Sequence, residues 1–182
     1  LVENNRFEGT GVGTEARGGQ LNAVNFSGTS AVIRGNEMVW ANNTWATAIV
    51  LNSSSTVQGT YVIEENLIQF SRNGIRTDNF AQGEIFIRNN TVQMFFTQSI
   101  GIEAQGVRTL VRGNTVSGAQ IGISLNVRAV AEDNDVFSNT LYGIQLSGSS
   151  TARENRVYSN PTGIYGVTST PGNLIERNEV YG

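Results

Sequence analysis

Cysteine, histidine and lysine are all absent from this 182-residue chain, and proline occurs only twice. Without Cys there is no disulfide, thiolate nucleophile or zinc-finger site. Without His there is no Ser-His-Asp triad and no imidazole metal ligand. Without Lys there is no Schiff base and no P-loop lysine. Charge is sparse as well. Charged residues are 15% of the chain, every cation is an Arg, and the net charge is −3. A dedicated nucleic-acid binder would carry a basic footprint, so none is expected as a partner. No apolar run approaches the ~18 residues of a spanning helix, so membrane insertion is not expected either.

What is present is a repeat. Two small or apolar residues, two mostly polar ones, an Asn, any residue and an apolar residue recur eight times. Val32-Ile33-Arg34-Gly35-Asn36-Glu37-Met38 and Leu110-Val111-Arg112-Gly113-Asn114-Thr115-Val116 are two examples. The Asn column is Asn5, Asn36, Asn66, Asn90, Asn114, Asn134, Asn155 and Asn178, at intervals of 31, 30, 24, 24, 20, 21 and 23. Between these lies a small residue followed by a β-branched one: Gly11-Val12, Ala48-Ile49, Gly74-Ile75, Gly101-Ile102, Gly122-Ile123, Gly143-Ile144 and Gly163-Ile164. The segments are short, rich in Val, Ile, Thr and Phe, and punctuated by Gly, Asn and Ser, which reads as strand and turn. Short strands repeated at this period stack as a solenoid, each strand ~4.8 Å from its copy and parallel to it.

The flanking columns agree. Three residues before the Asn and two after it, all positions are apolar, so both columns are expected to face the core. The Asn is expected at a tight corner, where it tolerates a left-handed backbone and can bond to its copy one coil away. Two residues before it stand Glu3, Arg34, Glu64, Arg88, Arg112, Glu132, Arg153 and Glu176. Charge alternates at every step but one, which predicts an outward ion-pair ladder that sets register.

The motif, Ile-x-x-Asn-x-Val followed by Gly-Ile, resembles the right-handed parallel β-helix repeat family of pectate-lyase-like enzymes, polysaccharide epimerases and phage tailspikes. The resemblance spans nearly the whole chain. The expected fold is all-β, a right-handed parallel β-helix (a single-stranded β-solenoid) of about eight coils with a stacked Asn ladder. It is expected as one domain over residues 1–182, a fragment or module of a longer chain. The longer coils lie within 1–61, with projecting loops near Gly13–Ser30 and Asn52–Thr60. Both ends read as cut through stacked coils, so end-to-end stacking or a homo-oligomer is expected to cover them otherwise.

In family members that act on polysaccharides, the groove follows the strand carrying the Gly-Ile motif, and the resemblance implies the same here. Alternation along that strand turns Arg76 and Asp78, Glu103 and Gln105, Ser124 and Asn126, and Gln145 and Ser147 outward. Arg76, Asp78 and Glu103 form the candidate catalytic set, with Arg76 neutralising a substrate carboxylate. Trp45, Gln105, Asn126 and Gln145 are the candidate carbohydrate-binding residues. The alternative is a solvated face with one Arg–Glu bridge. Trp40, Phe70 and Met94 lie four residues after a ladder Asn and read mainly as core, with Phe95 and Phe96 nearby. No cofactor and no metal site is expected. A weak calcium site at Asp133 and Asp135 is the one alternative.

The leading functional reading is an extracellular or cell-surface, non-catalytic module, structural or carbohydrate-binding, whose partner is a polysaccharide or cell-surface glycan. The alternative is a lyase, hydrolase or epimerase, or its remnant, acting on an acidic glycan. A second alternative is an oligomeric adhesin or tailspike segment.

Overall fold

A computed structural model describes residues 1–9, 22–26, 30–40, 47–51, 59–69, 72–77, 83–95, 97–167 and 172–182. The described chain folds as three parallel sheets of eight, eight and seven strands, with no helix among the described residues. The first seven coils contribute one strand to each sheet and the last contributes one to each of the first two, with copies in successive coils paired. One such coil runs through Glu84–Arg88, Thr91–Gln93 and Ile100–Gln105. The molecule is thus a parallel β-helix.

The two flanking columns meet inside it. Ile33, Ile63, Ile87 and Val111 stack in the first sheet, and Met38, Ile68, Val92 and Val116 in the second, all fully buried. Ile75, Ile102, Ile123 and Ile144 close the core from the third sheet. Ile175 and Val180 occupy the same columns in the last coil but are about half exposed, because no coil of this sequence covers them.

The Asn column lines the corner between the first two sheets. From Asn36 to Asn155 each side-chain amide both accepts and donates: Asn90 Nδ2, for example, donates to Asn114 Oδ1 and to the carbonyl of Ile63 one coil back, and its Oδ1 accepts from Asn66. The backbone conformation differs from expectation. The left-handed residue is the one before the ladder Asn: Asn4, Gly35, Glu65, Asn89, Gly113, Asp133, Glu154 and Arg177, at φ between 51° and 64°. The reason is geometric. The left-handed residue turns the chain out of the first-sheet strand, and the Asn that follows lays its amide along the stack.

The charged column forms as its alternation predicts. Arg34 pairs with Glu3 at 2.7 Å, Arg88 with Glu64 at 2.7 Å, and Glu132 lies between Arg112 at 3.6 Å and Arg153 at 2.5 Å. The single like-charged step brings Arg88 and Arg112 into register.

The first coil departs from the sequence expectation. The span near Gly13–Ser30 contains a third-sheet strand, Asn22–Phe26, whose Val24 pairs with Ile49. The small-plus-β-branched pair of that coil is therefore Ala23-Val24, not Gly11-Val12, which lies outside the described residues. Thr60 likewise opens a strand rather than closing a loop.

Candidate functional site

The outer face of the third sheet gathers most of the candidate residues. From Asn73–Thr77 onward its strands carry a Gly-Ile pair near their start, where the backbone runs close against the next coil. A Cβ on Gly101 would stand 2.4 Å from Val116 Cγ1 and 2.6 Å from the carbonyl oxygen of Gly122. Only Gly lets the backbone pass so close to the next coil. The residue after each Ile then points outward, and pairing fixes the order Val50, Arg76, Glu103, Ser124, Gln145 and Tyr165 along the helix axis.

Within this stripe Arg76 Nε lies 3.6 Å from Glu103 Oε2, an ion pair between partly exposed side chains. The other carboxylate oxygen, Glu103 Oε1, accepts a hydrogen bond from Gln105 Nε2 at 3.2 Å. Gln105 is in register with Asn126. Ser147 Oγ lies in hydrogen-bond contact with Asn126 Oδ1 in the next coil. Ser124 is nearly buried between Glu103 and Gln145. The stripe is thus two columns side by side, Arg76–Glu103–Ser124–Gln145 and Gln105–Asn126, with coils ~4.8 Å apart.

Beside it opens a cleft of about 520 Å³. Arg72, Asn73, Arg76, Gln98 and Gln120 supply its polar lining, and Ile100 and Ile121 its apolar floor. Asn73 Oδ1 accepts from the backbone N–H of Ile100 at 3.3 Å, which ties two coils together at the cleft. Further along, Tyr142 and Tyr165 stack with ring centres 4.7 Å apart and planes within 8°.

Of the candidate catalytic set, Arg76 and Glu103 come together, whereas Asp78 lies outside the described residues. Glu103 is the one carboxylate carried by the third-sheet strands, and both of its oxygens have partners. Paired-carboxylate chemistry needs a second acid across the scissile bond, and the described strands of this face carry none. Of the candidate binding residues, Gln105, Asn126 and Gln145 share the face, and Trp45 lies outside the described residues. Met94 is buried as expected, while Phe95 is 65% exposed; Phe70 and Phe96 are outside the described residues. Asp133 pairs with Arg112 at 3.0 Å and Asp135 with Arg156 at 2.5 Å. No group of three or more His, Cys, Asp or Glu that could hold a metal ion occurs among the described residues.

Two features escaped sequence reasoning. A second Asn pair lies at the next corner. Asn139 donates both its N–H and its Nδ2 to Asn160 Oδ1 at 2.9 Å, and Ala119 N–H donates to Asn139 Oδ1 at 3.0 Å. The signal was the repeated Val-aromatic-Ser-Asn of 136–139 and 157–160. An aromatic stack, Phe137, Tyr158 and Tyr181, stands on the second sheet with centres 5.0 and 5.2 Å apart. Its residues lie three positions after a ladder Asn, one short of the column singled out in the sequence.

These features define a β-solenoid with one polar, cleft-bearing face. The family model described as "right handed beta helix region" matches residues 22–180, and the chain belongs to that family. Comparison with curated proteins and with solved structures found no match.

Proposed function

We propose that this β-helix is a non-catalytic carbohydrate-binding module that meets polysaccharide outside the cell or at its surface. The observation that carries this reading is a pair of neighbouring in-register columns, Glu103–Ser124–Gln145 and Gln105–Asn126, beside an open cleft. Amides spaced one per coil offer donors and acceptors at a repeat comparable to the length of a pyranose unit. A rigid face of this kind binds an extended chain without ordering itself first, which lowers the entropic cost of association. The engagement of both Glu103 oxygens supports binding over glycosidic catalysis.

The test is calorimetric titration with neutral and acidic oligosaccharides, in the wild type and in Gln105→Ala and Gln145→Ala. Each lost side-chain hydrogen bond weakens binding several-fold, given ~0.5–1.5 kcal/mol per bond. Absence of binding across the panel would leave a purely structural solenoid.

A further inference from the structure

We infer that two copies of this chain pack face to face through the outer side of the first sheet, their helix axes antiparallel and Phe86 of each copy on the two-fold axis. The inference is independent of the glycan reading, because it uses a different wall of the solenoid and leaves the third-sheet face of each copy open.

The first sheet is apolar on both sides. Ile33, Ile63, Ile87 and Val111 point into the core, fully buried. The residue before each points outward, and pairing stacks Val32, Val62, Phe86, Leu110 and Val130 into one column across five coils. All five are partly exposed. The outward column of the third sheet, by contrast, passes through Arg76, Glu103, Ser124 and Gln145. Parallel sheets are ordinarily covered on both faces, and strands so covered read as apolar runs. Tyr61-Val62-Ile63 and Ile85-Phe86-Ile87 are such runs.

Charge identifies the occupant as a second copy. Beside the apolar column runs the ion-pair column Glu3, Arg34, Glu64, Arg88, Arg112, Glu132 and Arg153. A half-turn about an axis along the strand at Phe86 reverses the order of the coils. It sets Glu64 opposite Arg112 of the second copy, Arg34 opposite Glu132 and Glu3 opposite Arg153. Every facing pair off the axis is then of opposite sign. On the axis Arg88 meets its own copy, each neutralised by Glu64 of its own chain. On the other rim Thr60 opposes Arg108, and Glu84 meets its copy. The same rotation sets Val62 on Leu110 and Val32 on Val130, so the apolar column also meets itself. Long Arg and Glu side chains reach across the ~10 Å between packed sheets.

Area sets the strength. Seven strands ~4.8 Å apart and about four residues wide cover roughly 450 Å² per copy in projection. The total lies near the ~1,000 Å² that a specific interface needs, which makes a weak, concentration-dependent dimer. Its apolar centre and charged rim are the usual anatomy of an interface.

The experiment is sedimentation of the full chain from about 1 μM to about 1 mM. The expected result is a reversible dimer that added salt weakens. Phe86→Glu should weaken it at least about tenfold, the effect of losing a central aromatic anchor, with circular dichroism and melting curves unchanged. Cross-linking reads the arrangement without altering Phe86. The chain has no cysteine, so Val32→Cys and Val130→Cys each introduce a single thiol. With a short bis-maleimide, the mixture of the two variants should cross-link and neither variant alone should. A wild type that stays monomeric throughout overturns the inference and leaves this face to another segment or partner. A dimer that a folded Phe86→Glu leaves intact overturns it, as does cross-linking of either single variant as efficient as that of the mixture.

Discussion

Asn90 donates both its backbone N–H and its side-chain Nδ2 to Asn114 Oδ1, each at 2.9 Å. The same double donation joins Asn66 to Asn90 and Asn134 to Asn155, so the corner is one directional chain of amides. Asn114→Ala removes the acceptor of the buried Asn90 N–H and one bond of Asn90 Nδ2, which keeps the carbonyls of Ile63 and Arg88. An unsatisfied buried group costs ~1–3 kcal/mol, and a loss in that range is expected. Asn5→Ala, in the first coil, strands neither donor of another Asn and should cost less than about 1 kcal/mol. Urea unfolding of the two variants checks the contrast.

Gly101 and Val116 set a second prediction. The 2.4 Å approach of a built Cβ to Val116 Cγ1, together with the Gly122 carbonyl at 2.6 Å, leaves no room for a methyl group. Gly101→Ala should therefore destabilise the protein by several times ~1 kcal/mol, in the range of overpacked cores. At Gly166 the nearest neighbouring atom, Asn173 Nδ2, is 3.7 Å from the built Cβ, and Gly166→Ala should be close to neutral. Thermal melting of both variants separates close packing from a general intolerance of substitution in the third sheet.

In the charged column Glu132 differs from its counterparts. It is 8% exposed and contacts both Arg112 and Arg153, whereas Glu3 has one partner and a more open position. Glu132→Gln leaves the guanidinium groups of the two flanking coils without their shared counter-ion. Its cost should exceed that of Glu3→Gln, which falls in the ~0–1 kcal/mol range of exposed pairs. Repeating the denaturation at high salt should shrink the difference, because screening acts on the exposed part of these interactions.

Tyr158 gives a prediction in alkali. Burial raises its phenol above the ordinary value of 10.0, the Asp135 charge adds to this, and Arg156 opposes it. A raised phenol pKa favours the neutral form in the folded state. Its contribution to stability is complete below the unfolded pKa, near 10, and is lost as pH rises through the folded value. In an ultraviolet titration of phenolate, Tyr158→Phe should remove absorbance from the high-pH end of the curve. Loss of absorbance from its low-pH end would contradict the raised value.

The architecture was legible because one residue type answers one physical demand. An amide can satisfy both a donor and an acceptor along a stack, so Asn recurs at the first corner. The apolar columns, the ion-pair alternation and the Gly-Ile strands follow from the same in-register stacking. Where the demand is met differently, the sequence signal fades. At the second corner only Asn139 and Asn160 form the pair, and the preceding coil contributes just the N–H of Ala119, so two copies made no visible column. In the first coil the long interval between Asn5 and Asn36 allowed two placements of the third-sheet strand, and backbone pairing selects Val24 over Val12. The cleft was hidden for a related reason. Arg76 belongs to a regular column, but Arg72, Gln98 and Gln120 come from the segments entering three successive strands, whose spacing differs from coil to coil. Folding converts their unequal sequence spacing into one wall.

The central claim is that the third-sheet face holds a glycan without cleaving it. The most direct measurement titrates the protein with oligouronates and their neutral counterparts, then analyses the same samples for chain length after prolonged incubation. The account predicts saturable heat with at least one of these ligands and recovery of that ligand intact. Shortened or unsaturated products that disappear in Glu103→Gln would contradict it and make Glu103 a catalytic residue.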